Sequence, residues 1–289
     1  MTNPNYKNRL ANLGLFYAAL IWGSTFFIVK GALAGVDPIM LVAYRFLLAG
    51  LLMYVYLLMT GRSLFKDFKE GLILALILWF LYVPQTIGLG YTKASNSGFI
   101  TGLFVAFVPV FMRLILKRKP TRWEIVAAFL SLIGLWILTG GLTDVNFGDI
   151  LTLGAAVTYA LHVLYTDKFM KNGLDPYIIS TQQFFIIGLI SLVVGFVFGL
   201  PFEVHGSQVI WTIVFLAVFP TLSAFLIQAV AQKFATPMKV CLIFAFEPVF
   251  AALFAWTLGG EEFILTSALG GLLIAAALAI SGIPEKSKS

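Results

Sequence analysis

Few side chains in this chain can do chemistry away from water, and Glu247 leads them, because it lies near the middle of an apolar run directly before Pro248. A charged carboxylate at the centre of a membrane-spanning helix costs about 2.5–3.5 kcal/mol unless it is protonated or paired. Two roles fit such a group. It takes part in a working cycle, by binding a proton or gating a path, or it is a structural acid bonded to backbone freed by Pro248 or to a neighbouring helix. Arg45 is the second such residue, about a turn and a half inside another apolar run. A guanidinium there can snorkel outward, hold a helix carbonyl, serve a gate or meet a carboxylate substrate. Arg113, four residues before Lys117, is expected to snorkel to the surface.

Uncharged polar and aromatic groups recur at helical spacing around these two. Tyr159, His162 and Thr166 follow i, i+3, i+7; Tyr82 groups with Gln85 and Thr86; Thr221, Gln228 and Gln232 follow i, i+7, i+11; Trp22, Ser24 and Thr25 form a further cluster. In lipid such groups prefer a bundle interior, where hydrogen-bond partners exist. Singly, each can serve helix–helix bonding alone. Together, Trp22, Thr25, Tyr82, Gln85, Tyr159, His162 and Gln228 are expected to line one central cavity with aromatic walls, with Arg45 and Glu247 in gating or coupling roles. His162 is the rival titrating group to Glu247, since an unperturbed imidazole titrates near pH 6.5.

Other chemistries lack their residues. The lone Cys241 and the separated His162 and His205 build neither a disulfide framework nor a metal cluster. No H-E-x-x-H, paired acidic metal motif, nucleotide loop or Ser/His/Asp cluster falls within the apolar runs, so no cofactor and no enzymatic activity are expected. The pI near 9.4 does not point to nucleic acid, because the basic residues sit in short loops beside apolar runs rather than along one soluble face.

The elements that must position these groups are helices in a bilayer. With 60% hydrophobic residues, 11% charged residues and a mean hydropathy of +0.97, the 289 residues lie outside the range of a soluble domain. A helix needs roughly 20 apolar residues to cross the hydrocarbon. Such segments are read at about 11–30, 38–59, 71–91, 97–116, 124–141, 148–166, 179–199, 209–231, 237–258 and 265–283. Barrel strands would alternate apolar and polar residues, whereas the run from 188 to 200 is apolar on every side. The first segment, although Lys7 and Arg9 precede it, is too long for a signal peptide and lacks a small-residue cleavage site.

Charge sets the expected orientation. Fifteen of the nineteen Lys and Arg residues, from Lys7 and Arg9 through Arg62, Lys117–Lys119 and Lys168 to Lys286 and Lys288, share one side of the alternating segments. The other side carries Lys30 and Lys93 against Asp37, Asp144, Asp149, Glu203, Glu261 and Glu262. Positive short loops are retained in the cytoplasm, so both termini are expected there.

The chain also repeats itself when residues 11–141 are laid over 148–283. Trp22-Gly23 ahead of Asp37-Pro38 is echoed by Tyr159-Ala160 ahead of Asp175-Pro176, and Phe107-Val-Pro-Val-Phe111 by Phe246-Glu-Pro-Val-Phe250. Val108 stands where the second half has Glu247, so the acid is not duplicated. Five segments per half is an odd number, so the halves, 1–145 and 146–289, must insert in opposite directions as an inverted repeat. Pro84 and Pro220, with Pro109 and Pro248, are symmetric candidate hinges. Gly98-Phe-Ile-Thr-Gly102 is read as a close-packing surface within the bundle.

These features together resemble the EamA-type exporters of the drug/metabolite transporter superfamily. The matching residues are Ile21-Trp-Gly-Ser-Thr25 with Lys30, Tyr44-Arg-Phe-Leu-Leu48, Pro109-Val-Phe111, Glu247-Pro-Val-Phe-Ala251 and Gly259-Gly-Glu261, spread over essentially the whole chain. Tyr159 and His162 depart from the Trp and Tyr that the resemblance implies in the sixth segment. The resemblance implies an all-α integral membrane protein of ten transmembrane helices in two inverted five-helix units. It also implies a secondary transporter of the inner membrane that exports small metabolites, foremost amino acids or related amphipathic compounds. A monomer or weak dimer is expected, the Gly98–Gly102 surface offering dimerisation as the lesser option, and Glu247 makes proton coupling an option. Quaternary ammonium or drug-like cations, held by the aromatic walls with Glu247 as counter-ion, are the alternative cargo.

Overall fold

The computed structural model describes residues 4–141, 145–257 and 262–283. Asp144, Gly259, Gly260, Glu261, Lys286 and Lys288 lie outside the described residues. Within them all regular structure is helical. Among the described residues nine helical spans are long and apolar enough to cross a membrane: α1 (Tyr6–Ala32), α2 (Pro38–Met59), α3 (Phe68–Tyr91), α4 (Ala94–Ile115), α5 (Arg122–Thr139), α6 (Phe147–Lys171), α7 (Pro176–Val197), α8 (Ser207–Ala231) and α9 (Pro237–Phe254). A tenth apolar helix, α10 (Leu265–Ser281), has 17 residues. At 1.5 Å per residue it rises about 26 Å, near the lower limit for a span. The protein is a multi-pass membrane protein.

The helix starts follow from local chemistry. Asp37 accepts hydrogen bonds from the amides of Ile39 and Met40 (2.8 and 3.2 Å) ahead of Pro38, and Asp175 accepts one from the amide of Tyr177 (2.9 Å) ahead of Pro176. Each Asp caps amides that lack an intrahelical partner, while each proline sits where its missing N–H leaves nothing unsatisfied. Thr121 with Glu124, and Asn146 with Asp149, close reciprocal capping boxes on α5 and α6.

Packing joins α2 to α7, α5 to α10, α3 to α6 and α7, α4 to α6 and α9, and α8 to α1 and α2, with α9 also on α1. Exchanging each helix number n for n+5 maps this set of neighbours onto itself. Small residues bring the closest pairs together. A Cβ added at Gly134 on α5 would fall 2.8 Å from the carbonyl oxygen of Gly270 on α10, so neither backbone could keep this approach. Gly102 packs on Leu135 and Gly98 faces Phe26, which places that small-residue surface inside the bundle.

Loop contacts sort the two ends of the bundle. Arg62 pairs with Asp175 at 3.3 Å, Gln182 donates to the carbonyls of Leu64 and Lys66, and Lys7 lies over Phe234. At the opposite end the amide of His205 donates to the Gly35 carbonyl, Tyr44 donates to Phe202, and Thr92 donates to Asp149. The first end carries most of the basic residues.

The discontinuities differ from the expected proline hinges. Pro84 lies within an unbroken α3, and Pro109 lies inside the helical stretch Phe104–Ile115. α1 breaks at Ser24, α4 at Leu103 and α9 between Phe244 and Glu247. Pro248 falls in the first turn of the stretch Glu247–Thr257, a position that tolerates proline, so the break precedes it. Pro220 does distort its helix, as part of the π-helical stretch Ala217–Ser223.

Candidate functional site, a cavity between Arg45 and Glu247

The distortion around Pro220 presents groups that a regular helix would keep bonded. The Pro220 carbonyl accepts a hydrogen bond from Trp22 Nε1 at 2.7 Å. Next to it, the Thr221 hydroxyl donates to the Leu216 carbonyl at 2.7 Å and accepts from Arg45 Nε at 2.9 Å. A π-turn in α8 therefore fixes one residue from α1 and one from α2, in keeping with the frequent placement of such turns at functional sites.

The break in α9 does the same for Glu247. It makes Glu247 the first residue of a new helical stretch. The side chain is 6% exposed and accepts a hydrogen bond from the Tyr159 hydroxyl at 2.9 Å. Tyr159 is itself clamped by rings, with centroids at 4.4 Å to Phe104 and 6.2 Å to Phe244.

Between these groups lies a cavity with about 510 Å³ of empty volume, part of it open to the outside. Its wall contains Trp22, Thr25, Tyr82, Gln85, Tyr159, Arg45 and Glu247, seven residues singled out from the sequence. Trp22 packs on Phe225 at 5.0 Å and Phe244 at 4.9 Å, and Tyr82 on Phe46 at 5.0 Å. Gln85 donates to the Thr101 hydroxyl at 2.7 Å, while Thr25 donates back to the Trp22 carbonyl. The remaining wall comes from Phe26, Val29, Leu81, Thr86 and Leu89, with Thr101 and Phe225. Phe26 and Val29 on α1, and Thr86 and Leu89 on α3, lie towards the loops at 33–37 and 92–93, so the cavity extends from mid-bundle into that half.

His162 and Gln228 are not in this wall. Phe225 lines the cavity and stands edge-on to His162 at 5.8 Å, placing the imidazole behind it. There His162 Nε2 shares a 2.8 Å hydrogen bond with Gln183 Oε1, Gln228 donates to Gln232 at 3.0 Å, and Gln232 donates to the Val163 carbonyl at 2.8 Å. Both side chains are fully buried in this cluster. Gln183, Thr101 and Phe225 are not among the residues that helical spacing marks. The run Thr181-Gln182-Gln183 inside an apolar segment was a usable clue for the first, whereas nothing marked Phe225 among 28 phenylalanines. Arg113 is exposed, as a snorkelling residue would be.

Ionisable groups elsewhere are tied into helix ends. Asp149 accepts from Thr92 at 2.5 Å, Asp167 pairs with Lys171 at 2.6 Å, and Glu124 pairs with Arg118 at 2.8 Å. Lys30 donates to the carbonyls of Leu89 and Thr92. Among the described residues no group of three or more His, Cys, Asp or Glu could hold a metal ion. A larger depression on the flank, with about 1240 Å³ of empty volume between Phe27 and Trp211, has neither a carboxylate nor a guanidinium in its wall.

The chain is similar to several proteins named as transporters. An uncharacterized transporter of Archaeoglobus fulgidus is 31% identical over 274 residues, covering 95% of this chain and 86% of the relative. The inner membrane transporter YedA of Escherichia coli is 27% identical, with 93% and 90% covered, and the transporter YyaM of Bacillus subtilis is 25% identical, with 92% and 91% covered. A solved crystal structure shares the fold with a TM-score of 0.77 at 18% identity, over 94% of this chain and 96% of that one. The model of the EamA-like transporter family matches two consecutive segments, residues 9–140 and 146–283. Since those segments take in nearly the whole chain, the protein belongs to the EamA-like transporter family, within the drug/metabolite transporter superfamily, and is a membrane transporter.

Proposed function

We propose that the protein is a secondary transporter working by alternating access, built as two inverted five-helix repeats, 1–145 and 146–289, and exporting amino acids or related amphipathic metabolites. The observation that carries this reading is the cavity at mid-bundle, whose wall is drawn from both halves of the chain and includes one guanidinium, one carboxyl group and several aromatic rings. Support for the repeat comes from the tandem family match and from helix neighbours that are preserved when n is exchanged for n+5. An inverted repeat supplies inward-open and outward-open states of similar energy. With the basic end in the cytoplasm, the cavity of this conformation faces outward and both termini lie inside.

Amphipathic metabolites suit this wall better than simple cations. Trp22, Tyr159 and Phe225 offer aromatic faces to an ammonium group, but Arg45 in the same wall repels a solute carrying positive charge alone. Substrate-dependent flux through purified protein in proteoliposomes, over a metabolite panel with and without a pH gradient, tests the reading. Saturable flux of amino acids is expected, and flux confined to quaternary ammonium compounds would transfer the assignment to cations. Orientation is checked separately by single cysteines at exposed Lys93 and Lys119 in intact cells. An impermeant reagent should label position 93 and spare position 119.

A further inference from the structure

Arg45 poses a problem that the fold alone does not resolve. It is 2% exposed, and no ion pair joins it to any acid among the described residues. Nε is held by the Thr221 hydroxyl at 2.9 Å, and the guanidinium carbon lies 4.8 Å from the Tyr82 ring and 5.4 Å from the Phe46 ring. Nη2 is buried and makes no hydrogen bond. A buried guanidinium with an idle donor is costly, whereas rings and one hydroxyl are weak compensation for a full charge. Its natural partner is an anion, with which arginine forms short charge-assisted bonds in a fixed geometry.

The same cavity wall holds Glu247, engaged by Tyr159 rather than by Arg45. Two groups of opposite charge type thus share one wall, each held by its own neutral partner, with the rings of Trp22, Tyr82 and Phe225 also in that wall. Such a wall is dipolar. It matches a solute that carries a carboxylate and an ammonium group.

We propose that Arg45 is the carboxylate-binding residue of the substrate site, held ready by Thr221 on the π-turn of α8 and by the Tyr82 ring, so that the cavity takes α-amino acids in one orientation with the ammonium group towards Glu247 and Tyr159. This rests on the reading of the cavity as a substrate site and adds which end of the solute goes where. A positioning role for Arg45, as a brace for the π-turn, makes a different prediction, because a brace does not distinguish one solute from another.

The test is binding to purified protein in nanodiscs, measured calorimetrically with each of the twenty standard amino acids and, for every binder, its α-amide. The amide keeps the shape and the ammonium group but loses the carboxylate charge. Wild-type protein should bind the amide about 10- to 100-fold more weakly, the range expected for losing a charge-assisted hydrogen bond. Arg45→Gln should bring the acid down to the level of the amide and leave the amide unchanged, and Arg45→Lys should recover part of the difference. Equal wild-type affinity for acid and amide, or equal weakening of both by Arg45→Gln, overturns the proposal. Binding of no amino acid at all also overturns it. If the Gln variant fails to fold, the comparison in wild-type protein and in Arg45→Lys still decides. The two readings fail separately: flux of other solutes without amino-acid binding sinks the carboxylate subsite alone, whereas acid-selective binding without flux sinks the transporter cycle alone.

Discussion

Towards the loops at 33–37 and 92–93, the polar side chains Thr25, Arg45, Gln85 and Glu247 border empty space. Towards the loops at 60–67 and 172–175, His162, Gln183, Gln228 and Gln232 border one another and a backbone carbonyl. The first group comes from α1, α2, α3 and α9 and the second from α6, α7 and α8, yet on α6 the two regions are represented by Tyr159 and His162, only three residues apart. The Phe225 ring stands between them. The packed region is also poorly satisfied, since His162 Nδ1, Thr166 Oγ1 and Gln228 Oε1 are buried without hydrogen-bond partners. Each such atom costs about 1–3 kcal/mol in a dry interior. In the alternating-access reading this is the closed half of the path, and the orphaned atoms favour the state in which that half opens and hydrates.

The largest expected effect is at the junction of the two regions. If Glu247 binds and releases a proton in each cycle, Glu247→Gln holds the group neutral, so the fold should be retained while flux becomes independent of pH. An unchanged flux–pH profile in this variant would remove the proton-carrier role. Loss of stable protein, with residual flux still responding to pH, would mark Glu247 as a structural acid instead. Tyr159→Phe breaks the 2.9 Å hydrogen bond but keeps the acid, and the loss of one bond to a charged group predicts about a 10-fold fall in flux with the pH response preserved.

A smaller effect separates the two regions directly. His162 lies behind Phe225, so His162→Asn should alter substrate affinity by less than about 2-fold in binding assays, within the range of a change outside direct contact. Its cost should fall on flux, since the partner Gln183 must find a new bond whenever the half opens. A large loss of affinity would place His162 in the substrate site after all.

The contrast also shows what was legible beforehand. A carboxyl group and a guanidinium inside apolar runs announce themselves, because their insertion cost demands a reason, and the polar faces of α1, α3, α6 and α8 are visible at helical spacing. Periodicity reports which face of a helix turns inward, but not whether water or another side chain meets it at a given depth. That is why Tyr159 and His162 read alike. The prolines misled for a related reason: Pro84 and Pro220 are the same residue in paired helices, yet one sits in an unbroken α-helix and the other in a π-turn. What separates them is tertiary. Trp22 donates to the Pro220 carbonyl, and Arg45 donates to the Thr221 hydroxyl. The breaks at Ser24 and Leu103 have no comparable signature, since a glycine precedes each but glycines also lie inside α2, α3, α5, α6 and α7, which run unbroken.

The smallest effect offers the sharpest separation between a static polar cluster and a closed half of a path. Thr166 is 2% exposed and its hydroxyl makes no hydrogen bond, so Thr166→Val exchanges an orphaned polar group for a methyl of nearly the same shape. In a region that stays dry throughout, this change has only a benefit: it should raise stability by about 1–2 kcal/mol, seen as a few degrees in thermal unfolding of the purified protein, and leave flux unaltered. In a region that must open, the same substitution stabilises the closed conformation against the hydrated one, in which the hydroxyl would be bonded to water. A change of about 1.4 kcal/mol in that balance is a factor of ten in population. Higher thermal stability together with a several-fold slower flux, at unchanged substrate affinity, is therefore the expected outcome, because affinity is set on the other side of Phe225. Higher stability with undiminished flux would show that the region below Tyr159 is packing and that the path runs elsewhere.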